Sequence, residues 1–163
     1  MPRTNVFFYD ASNPANIASG VHAAYYVNGY AWPKSEIDRM GAVFGVSVLP
    51  ESYWAKVARC IDIETGAASV ENAVPFIRAR RKFLLDTYGH NYNDDATCYV
   101  NRSNMDAVRE AFTVDHLPEP LYWVATLDGT WEVDGAWAVQ GQGGPTAAYD
   151  LSILHGVYNF HKP

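Results

Sequence analysis

Arg59-Cys60-Ile61-Asp62-Ile63-Glu64 is a short apolar run that ends in two carboxylates one residue apart. Its length and its aliphatic residues read as a buried strand. Alternate side chains of a strand share a face, so Asp62 and Glu64 project the same way. In a chain with 18 acidic residues among 163, an acid-x-acid triplet also arises by chance. The triplet gains weight because two other apolar runs end in an acid, Val6-Phe7-Phe8-Tyr9-Asp10 and Ala147-Ala148-Tyr149-Asp150.

Outward from this strand, periodicity and turn residues mark eight apolar runs, at about 5–10, 21–28, 43–49, 58–63, 96–101, 121–126, 136–140 and 147–151. Eight strands are what a parallel barrel needs to close. Helical patterns lie between the early runs. Pro33 to Met40 opens on a proline suited to a first turn, and a short segment follows near Glu51 to Val57. Val70 to Tyr88 has Ser69 as N-cap and Gly89 just past its end, and a further helix starts near Ser103, with Ser103 as its cap. After residue 120, three runs are joined only by turns: Asp128-Gly129, Asp134-Gly135 and Gly141-Gln142-Gly143-Gly144-Pro145. The expected fold is α/β: one domain over residues 1–163, a TIM-like barrel of (β/α)5β3 type with helix-free last three strands.

In such barrels chemistry gathers where strands end at their C-termini. Asp10, Asp62, Glu64 and Asp150 are all expected on that rim. Carboxyls brought together repel, so at least one should hold its proton near neutral pH, which a general acid requires. Glu64, longer and nearer the rim, is assigned that role, and Asp62 the role of orienting it or of carrying charge. The competing reading has Asp62 satisfying buried polar groups of the barrel, with Tyr99 or Gln140.

Composition narrows the field. The chain is 48% hydrophobic and 14% aromatic, with 11 Tyr and 5 Trp, which marks a folded globular protein. A net charge of -6 argues against nucleic acid. The one dense basic run, Arg78-Ala79-Arg80-Arg81-Lys82, reads as a solvated helix face. No run is long enough to span a bilayer, and no apolar leader segment follows Met1, so a soluble protein made in the cytoplasm without a cleaved export signal is expected. Cys60 and Cys98 read as buried free thiols, and Asp94 and Asp95 as a solvated loop. The five histidines lack zinc spacing and the serines lack a nucleophile elbow, so no metal, cofactor or serine chemistry is expected. Gly141 to Pro145 reads as a flexible turn, and Tyr30 and Trp32 as an aromatic pair near the rim that suits a sugar wall or a protein contact.

Tyr9-Asp10-Ala11-Ser12, Cys60-Ile61-Asp62-Ile63-Glu64, Cys98-Tyr99-Val100-Asn101, Leu121-Tyr122-Trp123-Val124-Ala125, Trp137-Ala138-Val139-Gln140 and Tyr149-Asp150-Leu151-Ser152 follow one another in an order that resembles the family-25 glycoside hydrolases. These are muramidases that cut the glycan backbone of peptidoglycan, on a barrel with five helices and three helix-free strands. The resemblance implies Glu64 as general acid of a retaining reaction, with Asp62 assisting the N-acetyl group of the substrate. It also implies Asp10 and Asp150 as the remaining acids, and Tyr99, Trp123 and Gln140 as lining of the sugar groove. The interval from Asp10 to Asp62 is shorter than in muramidases, which makes the chain more similar to a trimmed glycoside-hydrolase-like domain of actinobacteria and their phages. Two functions follow: a hydrolase acting on peptidoglycan, or a non-catalytic virion or envelope protein with phage structural partners that keeps the barrel.

Overall fold

The computed structural model describes residues 6–41, 43–89, 95–144 and 146–155. The N-terminal stretch 1–5, in which no leader segment is expected, the loop at 90–94 with His90 and Asp94, Pro145 and His161 lie outside the described residues. Eight strands close a barrel in chain order: β1 Val6–Asp10, β2 Ala23–Tyr26, β3 Val43–Ser47, β4 Cys60–Ile63, β5 Thr97–Asn101, β6 Leu121–Ala125, β7 Ala138–Gln142 and β8 Asp150–Leu154. Strands β1 to β7 pair in parallel, whereas β8 is antiparallel to both β7 and β1. Each of the eight runs expected from sequence overlaps one of these strands.

The last strand corrects its expected position, because β8 begins at Asp150 rather than ending there. Gln142 and Asp150 are separated by too few residues for a parallel crossover, which takes about a dozen. The chain therefore returns antiparallel, and the start of β8 comes to the rim where the other strands end. Asp150 stays beside Asp10, its register partner, for a reason opposite to the expected one.

The helical layer is uneven. α1 (Lys34–Asp38) is barely one turn, α2 (Ala73–Tyr88) has 16 residues and α3 (Arg102–Val114) has 13. Single 3-10 turns at Pro14–Asn16 and Trp54–Lys56 stand where longer helices would cover the sheet, and a third, Val70–Asn72, leads directly into α2. Among the described residues, no helix follows β6, β7 or β8. The expected caps of α2 hold: Ser69 and Asn72 form a capping box and Gly89 closes the helix at φ 71°. The cap of α3 is Asn101, not Ser103; its side chain accepts from Asn104 N, and the Ser103 hydroxyl donates to it.

Two apolar layers flank the sheet. Outside, Ile61, Ile63, Val100 and Val124 pack against Phe76 and Ile77 of α2 and Val108 and Phe112 of α3. Inside, Phe8, Phe44, Tyr99, Trp123 and Trp137 fill the barrel. Phe8 and Tyr99 meet the Trp123 ring edge-on at centroid distances of 5.0 and 4.7 Å. Each such ring contributes about 1.5–3 kcal/mol by burial, and edge-to-face pairing adds about 0.5–1.5 kcal/mol. Cys60 belongs to the inner layer and Cys98 to the outer one, so the thiols of these neighbouring strands are free, buried and on opposite faces.

The basic run on α2 is not a uniformly solvated face. Arg80 is buried, reaches the carbonyls of Ala55 and Lys56, and pairs with Asp95 at 2.6 Å. Asp95 also pairs with Arg59 at 3.1 Å, and Arg59 lies over the Trp137 ring at 5.2 Å. Asp95 is thus a part-buried counter-ion shared by two arginines instead of a solvated loop acid. The i+4 steps from Phe76 to Arg80 and Leu84 lie on the buried stripe that also carries Ile77, which turns Arg80 inward.

Candidate functional site

The rim where β1 and β4 end and β8 begins gathers the four predicted acids. Asp10 and Asp62 are each 2% exposed, Asp150 is half-buried and Glu64 is exposed as a residue. Local structure positions each of them. Alternation on β4 places Asp62 and Glu64 on one face. The chain then folds back at once, Ala68 N donating to Asp62 O and Ala67 N to Glu64 O, while Asn104 of α3 donates to Ile63 O at 3.1 Å.

Every one of the four carboxyls is pushed up. Burial, then the charges of Asp150, Asp62 and Glu64, raise Asp10 well above the carboxylate range. Burial, then Glu64, raise Asp62 to about 8. Partial burial, then Asp150, raise Glu64, whose carboxyl sits among the acids although its residue reaches solvent. Burial raises Asp150, against hydrogen bonds from Gly144 N, Gln140 and Asp10 that favour its charged form. Asp10 is the deeper of the register pair and donates to Asp150, so the proton they share resides on Asp10.

The glycine-rich turn is a cradle, not a free hinge. Gly144 N donates to Asp150 Oδ1 at 2.9 Å, and a Cβ on Gly143 would stand 1.8 Å from that oxygen. Only a residue without a side chain leaves room for the carboxylate there, and its φ of 144° also favours glycine. Sequence reasoning missed this pair, and the signal that could have found it was two glycines a few residues before an acid. It missed Tyr26 too, which alternation from Ala24 turns inward. The charges of Asp10, Asp62 and Glu64, after burial, raise its hydroxyl.

The expected sugar-lining residues divide. Gln140 is 1% exposed and its side chain donates to Asp150, so it belongs to the acid cluster. Tyr99, register partner of Asp62, is buried at the same level, and its hydroxyl is raised by burial and by the acids. Trp123 is 2% exposed, and its indole N–H donates to Ser152 Oγ at 2.9 Å. It plugs the barrel and presents no face to a ligand, because β6 points it at Phe8 and Phe44. Trp32 is likewise buried, in the outer cluster with Ile17 and Met40, and its N–H donates to Ala11 O. Tyr30 is the exposed member of the pair, 60% accessible, with its ring 5.8 Å from that of Tyr26.

Elsewhere, a shallow groove between α2 and α3, lined by Val74, Arg78, Ala111 and Val114 among others, contains none of the four acids. Among the described residues, no group of three His, Cys, Asp or Glu has the geometry to hold a metal ion. His155 Nε2 donates to Trp131 O, 2.6 Å away, and is engaged there. Among those residues, too, no helix is long and apolar enough to cross a membrane.

Fold and site define a closed eight-stranded mixed barrel with an acidic rim. No family model matches the chain, and no curated protein matches it. Among solved structures it is similar to the Tat-secreted protein Rv2525c of Mycobacterium tuberculosis, crystallised in complex with HEPES, at 13% identity and a TM-score of 0.50 over 92% of this chain and 94% of that one. At that identity the likeness is one of fold.

Proposed function

We propose that the acid rim is a glycan site of the glycoside-hydrolase kind, directed at the amino-sugar backbone of bacterial cell walls, and that the barrel is a reduced form of the (β/α)5β3 frame. The observation that carries this reading is the pairing of Asp62 and Glu64 on one face of β4, both raised in pKa, one buried and the other open to solvent. In a retaining reaction Glu64 protonates the leaving oxygen and then activates water. Asp62 holds charge or a hydrogen bond against the developing cation, and Asp150, whose charged form is favoured by hydrogen bonds from Asp10, Gln140 and Gly144 N, keeps the field negative.

A second reading is favoured by the burial of Trp32 and Trp123, which leaves Tyr30 as the exposed ring on its side of the rim. A site with so little stacking surface suits a phage- or envelope-associated protein that binds wall glycan without cutting it. Release of new reducing ends from purified wall glycan by wild type and Glu64→Gln tests both. Loss of a general acid lowers turnover by about 100- to 10,000-fold. Equal rates in the two proteins refute the assignment of Glu64, and binding without turnover by wild type supports the second reading.

A further inference from the structure

Three buried acceptors at the rim have no hydrogen-bond partner: Asp10 Oδ2, Asp62 Oδ1 and Gln140 Oε1. The side chains that carry them are at most 2% exposed. The Gln140 amide nitrogen donates to Asp150, which fixes its oxygen as the free acceptor. Leaving such atoms without donors costs about 1–3 kcal/mol each. None of the described ion pairs includes Asp10, Asp62, Glu64 or Asp150. The groups that face one another here are those four acids, the hydroxyls of Tyr26 and Tyr99, and Gln140.

We propose that this rim binds a primary ammonium carried on a saccharide, the free amino group of a de-N-acetylated hexosamine. An ammonium brings three donors and one positive charge, against three vacant acceptors among four carboxyls that no described ion pair neutralises. An N-acetyl group brings one N–H and a carbonyl that would face acceptors. A metal ion is disfavoured by the lack of a ligand set among the described residues. Tyr26 and Tyr30, 5.8 Å apart, add ring faces to which a cation is attracted. The saccharide part of the ligand rests on the glycan reading above; the ammonium part rests on the acceptors alone.

The test is calorimetric titration of the whole protein with the glucosamine tetramer and the N-acetylglucosamine tetramer, at about 0.15 M salt to screen diffuse attraction. The amine form should bind at least about tenfold more tightly, a difference of about 1.4 kcal/mol. Its binding should release protons and strengthen from about pH 5 to about pH 7, because a cation favours the ionised carboxyls. Asp62→Asn and, as a variant without a charge change, Gln140→Leu should each weaken it, whereas Asp106→Asn on exposed α3 should leave it unchanged. Equal or tighter binding of the N-acetylated tetramer, no binding of either, or the same loss in Asp106→Asn overturns the proposal. Amine preference without hydrolysis removes the hydrolase reading and leaves this site. Hydrolysis of the N-acetylated form without amine preference does the reverse.

Discussion

Asp62→Asn should stabilise the protein at neutral pH, by an amount that grows as pH rises. Asp62 is 2% exposed, its Oδ1 has no partner, and burial with the charge of Glu64 lifts its carboxyl from the ordinary 3.8 to about 8. The sign follows from linkage: in the unfolded chain the carboxyl loses its proton near pH 4, while the folded protein keeps it until about pH 8. Folding stability therefore falls across that window, and the loss is complete above it. Each pH unit within the window costs about 1.4 kcal/mol. The folded state is thus worse off by about 4 kcal/mol at pH 7 and by about 6 at pH 8, both upper bounds. Asparagine has the same shape and no charge to bury. A gain of about 2–4 kcal/mol at pH 7 is expected, with wild type and variant nearly equal at about pH 4. Urea unfolding of both proteins at a series of pH values reads this as a widening gap between midpoints. The variant's own stability still falls as pH rises, because Asp10, Glu64 and Asp150 are raised as well, but it falls less steeply. Parallel curves, or a variant less stable at every pH, would show that Asp62 is ionised in the folded protein and that the assignment of its proton is wrong.

Other outcomes follow from the cradle and from the base of the barrel. Gly143→Ala should destabilise by about 1–3 kcal/mol and displace the Asp150 carboxylate, since the new Cβ would stand 1.8 Å from its Oδ1. Gly144→Ala, with nothing within 4 Å of its Cβ, should cost backbone strain alone; chemical unfolding with carboxyl carbon NMR separates the two, and an unmoved Asp150 resonance in Gly143→Ala counts against the cradle. Arg59→Met should cost about 2–3 kcal/mol, below the usual cost of breaking a buried pair, because Asp95 retains Arg80. A neutral effect on the unfolding midpoint would mean that Arg59 does not close the barrel base.

Local chemistry alone determined much of this protein. Alternation along Cys60 to Ile63 places Asp62 and Glu64 on one face. Ser69, Asn72 and Gly89 set the ends of α2 through hydrogen bonds spanning three or four residues. The eight apolar runs follow from period-two patterning, and the acids at the ends of the first and fourth follow from reading those ends, whereas Asp150 opens the last strand. Closure of the barrel decided the rest, because it brings together residues more than a hundred positions apart. It paired Asp10 with Asp150 from an antiparallel strand and wrapped Gly143 and Gly144 around that carboxylate. It also sank Trp123 among Phe8 and Phe44, and turned Arg80 and Arg59 onto Asp95. A tryptophan or an arginine carries no local mark of whether it will face solvent or a packed interior. Its neighbours across the sheet decide that, and so they also decided that this rim would hold acids with little aromatic wall beside them.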